Sequence, residues 1–82
     1  MIRRQKGYIP KIHSTAFISE ASYVVGNVEI GENSSVWPGA VIRSDNGKTT
    51  IGKGTNIQDN SLVHGDQDTY IGDGVTLGHG VV

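Results

Sequence analysis

Aliphatic residues recur every six positions at Ile12, Ile18, Val24, Ile30, Val36 and Ile42, and the series resumes after a three-residue insertion at Ile51, Ile57 and Val63. A second insertion, of two residues, precedes Ile71 and Leu77. The insertions fall at Asn46-Gly47-Lys48 and around Gly65 to Asp68, both turn-forming stretches. Two positions before each aliphatic stands a small or β-branched residue: Ala16, Ser22, Val28, Ser34, Ala40, Thr49, Thr55, Ser61, Thr69 and Val75. Residues i−2 and i share one face of a strand, so each hexad predicts a short strand with two inward side chains, followed by a corner. A helix is excluded, because a period of six drifts off any single face of a 3.6-residue turn.

Three such strands close a triangular coil of 18 residues in which neighbouring coils bury a narrow aliphatic column and pair their backbones. The order of hexads assigns Ile12, Ile30, Ile51 and Ile71 to one face (A). Ile18, Val36, Ile57 and Leu77 fall on the second (B), and Val24, Ile42 and Val63 on the third (C). The predicted organisation is an N-terminal segment, 1–11, followed by a single all-β solenoid over 12–82 with three full coils and two faces of a fourth. That domain is therefore expected to be incomplete at its C-terminal end. Hexapeptide repeats of this form resemble the left-handed parallel β-helix family; the handedness is implied by the resemblance, since parallel crossovers are generally right-handed.

Composition agrees with a thin core: 35% of the 82 residues are hydrophobic, with one Phe and one Trp, and 12 are glycine. There are no cysteines, so disulfides are excluded and any metal would use His, Asp or Glu. A net charge of −1 gives no reason to expect a nucleic acid or anionic membrane as partner, and Arg3, Arg4 and Lys6 are read as a solvated start. No apolar run approaches the ~18 residues of a membrane span, and no signal peptide is visible, so a cytoplasmic location is expected.

On face C the residues after the inward aliphatics are Val25, Arg43 and His64, which puts Arg43 one coil below His64, about 4.8 Å away. On face B the same position carries Trp37, Gln58 and Gly78, and Asp59 lies one coil below His79. Asn56, Gln58, Asp59, His64 and His79 thus fall in adjacent coils with Arg43 and Asp45 beneath. His13 is read as an ordinary surface residue, and taken alone Arg43 and Asp45 would be an ordinary surface ion pair. Two histidines without a third ligand do not by themselves define a metal site.

The stretches SSVWPGAVIRSD, IGKGTNIQDNSLVHGD and TYIGDGVTLGHGVV resemble successive signatures of the γ-class carbonic anhydrases and their relatives, over about Ile12 to Val82. The resemblance implies a Zn2+ ion, or Fe2+ or Co2+, held by three histidines. One follows the N-I-Q-D segment and matches His64; the others form an H-x4-H pair whose first member matches His79. The second member would lie two positions past Val82. His64 and His79 belong to faces about 120° apart, so they can share a metal only across a subunit interface, which a homotrimer supplies. In that family the metal-bound hydroxide converts CO2 to bicarbonate. Gln58 would orient hydroxide or CO2, Asn56 would hydrogen-bond nearby, Arg43 and Asp45 would pair beside the interface, and Asp59 would support a histidine ring. The usual R-G-D reads Arg43-Ser44-Asp45, a tolerable small-for-small change. The proton-shuttle glutamate has no counterpart, although Asp66 or Asp68 could substitute.

With the third histidine missing, weak or absent activity is expected of these 82 residues. Two other readings compete: a hexapeptide-repeat acyltransferase, with a histidine as general base and a coenzyme A groove, and a non-catalytic assembly module whose flat faces serve only association.

Overall fold

The computed structural model describes residues 1–78 and Gly80. The first strands, β1 (Ile2–Arg3), β2 (Lys11–Ile12), β3 (Phe17–Ile18), β4 (Tyr23–Ile30) and β5 (Ser35–Val36), are followed by the longest, β6 (Val41–Ile51). The chain then runs through β7 (Asn56–Ile57), β8 (Leu62–Gly65), β9 (Thr69–Ile71) and β10 (Thr76–Leu77). No helix occurs among the described residues.

Every strand pairing is parallel, and the register stacks like positions of the repeat on one another. Ile12 lies beside Ile30, Val24 beside Ile42, and Ile30 beside Ile51. The aliphatics of face B stack through β3, β5, β7 and β10 as Ile18, Val36, Ile57 and Leu77. Faces A and C form a single six-stranded sheet because β4 and β6 run without a break around the corner between them. The result is the expected left-handed parallel β-helix of about four turns. Its core is the aliphatic column Val24, Val28, Ile30, Val36, Ala40, Ile42, Ile51, Ile57 and Val63.

Several corners are β-turns whose third residue has a positive φ, among them Asn33 (58°), Gly39 (76°) and Asn60 (60°). Ala40 N–H closes one of them on Trp37 C=O at 3.1 Å, and Ser61 N–H closes another on Gln58 C=O at 3.2 Å. A positive φ at this position suits Gly and Asn, which explains the punctuation of the sequence. A different demand applies at Gly31 and Gly52, stacked beneath Gly72 in one column beside face A. A Cβ at Gly52 would lie 2.7 Å from the Gly72 carbonyl carbon, so the coils can approach only with hydrogen there.

The small inward register also carries hydrogen bonds between coils. Ser34 Oγ donates to Gly52 C=O at 2.5 Å, Thr55 Oγ1 to Gly72 C=O at 2.6 Å, and Ser61 Oγ to Gly78 C=O at 2.6 Å. At Gly52, which is buried, the hydroxyl thereby satisfies a corner carbonyl cut off from water. Thr49 differs: it is fully buried and its Oγ1 has no hydrogen-bond partner. A buried hydroxyl without a partner opposes folding, so Thr49→Val is expected to raise stability by on the order of 1 kcal/mol, measurable as a higher urea midpoint.

The N-terminal segment departs from the sequence reading. Ile2 pairs with Val24 and Arg3 with Val25, so β1 extends face C by one strand below the first coil. Ile2 lies ten positions before Ile12, outside the strict six-residue series, because Gln5 to Tyr8 form a tight turn. All three departures from the period, at this turn, at 46–48 and around 65–68, therefore sit at the same corner, between faces C and A.

Candidate metal centre

Strand alternation turns Arg43 and Asp45 outward from face C and Ser44 inward, where it is 3% exposed. Ser44 Oγ donates to the Gly47 carbonyl, so the serine of R-S-D closes the loop that follows. In register, His64 stands beside Arg43 and Gly65 beside Ser44, which leaves Asp45 diagonal to the imidazole. Asp45 is the hub of the group. Its Oδ2 accepts from Arg43 Nη2 at 2.9 Å and from His64 Nε2 at 2.7 Å. Its Oδ1 accepts from Gln5 Nε2 at 3.1 Å and Arg43 Nε at 3.3 Å. A carboxylate only accepts, so Nε2 carries the imidazole proton in this arrangement.

The Arg43 guanidinium, and after it His64, hold the Asp45 carboxyl well below the usual carboxylate range. Its folded-state pKa therefore lies below the unfolded value of about 3.9, and the stability it contributes is present above that value and is lost as pH falls. Wild type is expected to be more resistant to urea than Asp45→Asn at pH 5, with the difference shrinking at pH 3 and further at pH 2. Urea midpoints of both proteins across that range check it.

The donor atoms of Asp45, His64 and Asp66 lie within 4.8 Å of one another. One imidazole and two carboxylates form a set that suits Zn2+, Fe2+ or Co2+, while the Arg43 charge opposes a cation at Asp45. His64 Nε2 is engaged by Asp45, so a metal held together with that contact would take the other ring nitrogen, Nδ1. The residues thus fit a divalent cation in part: His64 is available on an exposed face with carboxylate support.

Other predicted site residues lie elsewhere. Asn56 and Gln58 flank Ile57 on face B, a different sheet from Arg43, Asp45 and His64. Ser35 Oγ donates to Asn56 Oδ1 and in turn accepts from Trp37 Nε1 at 2.9 Å; the Trp37 ring lies 5.1 Å from that of Phe17. Gln58 follows on the outer surface, in register above Trp37. Asp59 stands at the B-to-C corner, where its carbonyl accepts from Gly80 N–H at 3.0 Å. His79 falls outside the described residues. Arg43 and Asp45 pair within one chain. Of the two candidate shuttles, Asp66 lies beside His64, whereas Asp68 Oδ1 accepts from Lys48 N–H at 2.9 Å and holds the 46–48 loop. Gln5 was not visible as a site residue. The Lys6-Gly7 turn signal together with the ten-residue gap from Ile2 to Ile12 could have pointed to it.

Residues 9–44 match a family model described as bacterial transferase hexapeptide (six repeats). A protein called gamma carbonic anhydrase 1, mitochondrial, from Arabidopsis thaliana is 44% identical over 81 residues, covering 89% of this chain and 30% of its own length. The chain is built of hexapeptide repeats and is similar to the γ-class carbonic anhydrases. A carbonic anhydrase of Geobacillus kaustophilus is 45% identical over 84 residues, 100% of this chain and 46% of that protein. Among solved structures, a hexapeptide transferase family protein from Anaplasma phagocytophilum superposes with a TM-score of 0.92 at 47% identity, over 96% of this chain and 47% of that one. This hexapeptide-repeat chain thus spans less than half the length of each of these three relatives.

Proposed function

We propose that this chain contributes to a γ-class carbonic anhydrase-like site in which His64 holds a divalent metal, Zn2+ or alternatively Fe2+ or Co2+, for reversible hydration of CO2. The observation that carries the reading is the Asp45–His64 contact of 2.7 Å, on an outward face and within a sequence similar to γ-class enzymes. When bound, the metal would supply a water acidic enough to give hydroxide near neutral pH. Arg43 and Gln5 fix the Asp45 carboxylate, Asp45 orients the imidazole, and Asp66 offers a proton acceptor beside it. Asn56 and Gln58, on face B, would reach the reacting molecules from a neighbouring subunit of a homotrimer, and the family resemblance makes His79 a second metal ligand.

Stopped-flow CO2 hydration tests this. Slow hydration that appears only on addition of Zn2+, Fe2+ or Co2+ is the expected result; a rate indifferent to metal and chelator would overturn it. A second reading is acyl transfer. It is favoured by the likeness to a hexapeptide transferase family protein and by the His64–carboxylate pair, an arrangement that also serves a general base. Thermal protection by acetyl-CoA, without protection by metal, would select it.

A further inference from the structure

The N-terminal turn reaches across the solenoid to the carboxylate that holds His64. Gln5 N–H donates to Tyr8 C=O and Tyr8 N–H to Gln5 C=O, both at 2.9 Å. The central residues, Lys6 at φ 52° and Gly7 at φ 82°, are both left-handed, as in the tight turns of β-hairpins. Immediately before it, β1 is fixed against Val24 and Val25. The turn is thus anchored on one side by a parallel pairing. On the other side Lys6 Nζ donates to Asn46 Oδ1 at 2.8 Å, in the loop that follows Asp45. Gly26 makes room between them: a Cβ there would strike the Ser44 carbonyl oxygen and come within 3.7 Å of Gln5 Cβ.

We propose that Gln5 is a positioning residue for the site: its side-chain amide fixes Asp45 Oδ1, and so aims Oδ2 at the His64 ring. The last torsion of an aspartate is broad, and a carboxylate held through one oxygen can swing. In Asp45 the Arg43 contact to Oδ1 is the longer one at 3.3 Å, and Gln5 at 3.1 Å completes the hold on that oxygen. Arg43 is itself 48% exposed along its side chain, whereas Gln5 follows closely on a strand paired with Val24 and Val25. The residues before the first hexad therefore belong to the site they overlie.

The inference rests on reading Asp45 and His64 as the site, but its test needs no turnover. In 15N-labelled protein at one fixed pH, with the ring signals of His64 assigned by comparison with His64→Ala, the Nε2–H proton reports the contact to Asp45. Gln5→Met keeps the length of the side chain and removes the donor. It is expected to speed solvent exchange of that proton roughly tenfold, with a mixture of ring tautomers. Lys6→Ala removes the neighbouring latch and should leave the ring signal as in wild type. The proposal is overturned if Gln5→Met leaves the ring signal and its exchange unchanged. It is also overturned if Lys6→Ala perturbs the ring as strongly as Gln5→Met, because seating of the turn would then be the cause. Absence of CO2 hydration leaves the ring result intact, and an unchanged ring leaves the metal reading intact.

Discussion

Ile42→Ala is expected to destabilise the fold by about 2–5 kcal/mol, which is a large part of the 5–15 kcal/mol typical of a whole domain. Ile42 is fully buried and lies between Val24 below and Val63 above on face C. A solenoid core is only three columns wide. Its remaining side chains are held by corners of fixed geometry and cannot slide inward to fill the space, so the full cavity cost should persist. The effect should also spread along the column, because each coil is stable only against its neighbours. Urea unfolding followed by circular dichroism would show a large fall in midpoint. By contrast Ile18, partly buried at the end of its column, should tolerate the same change with a smaller loss.

His64→Ala is expected to leave the fold intact and to weaken divalent metal binding by more than about a hundredfold. The ring is 35% exposed and contributes to no core contact, whereas its nitrogen is the only imidazole donor among the described residues that lies beside Asp45 and Asp66. What remains without it is one exposed carboxylate, Asp66, and the half-buried Asp45, which Arg43 already occupies. Competition titration with a chromogenic Zn2+ or Co2+ chelator gives the affinity, and thermal melting of the same samples shows whether the fold has survived.

The coil register was legible because the inward aliphatic column imposes a period that few other folds produce, and the stacking of Ile30 on Ile51 across the insertion follows from it. The proximity of Arg43 to His64 was legible for the same reason. Their connection through Asp45 was not, since it depends on the diagonal reach of a side chain two residues further along the strand. β1 was hidden by a four-residue offset from the period, and with it Gln5. The isolation of the Thr49 hydroxyl was also invisible, because Ser34, Thr55 and Ser61 occupy equivalent positions and do find carbonyls. Asn56 and Gln58 lie in a different sheet from His64, on the face that the order of hexads assigned to them.

In the proposed site His64 would anchor a metal where face C of one copy meets face B of another. Native mass spectrometry of protein reconstituted with Zn2+ tests both parts together. The expected result is a trimer carrying Zn2+ and, for His64→Ala, a trimer without it. A monomer that holds Zn2+ equally well with and without the imidazole would contradict it.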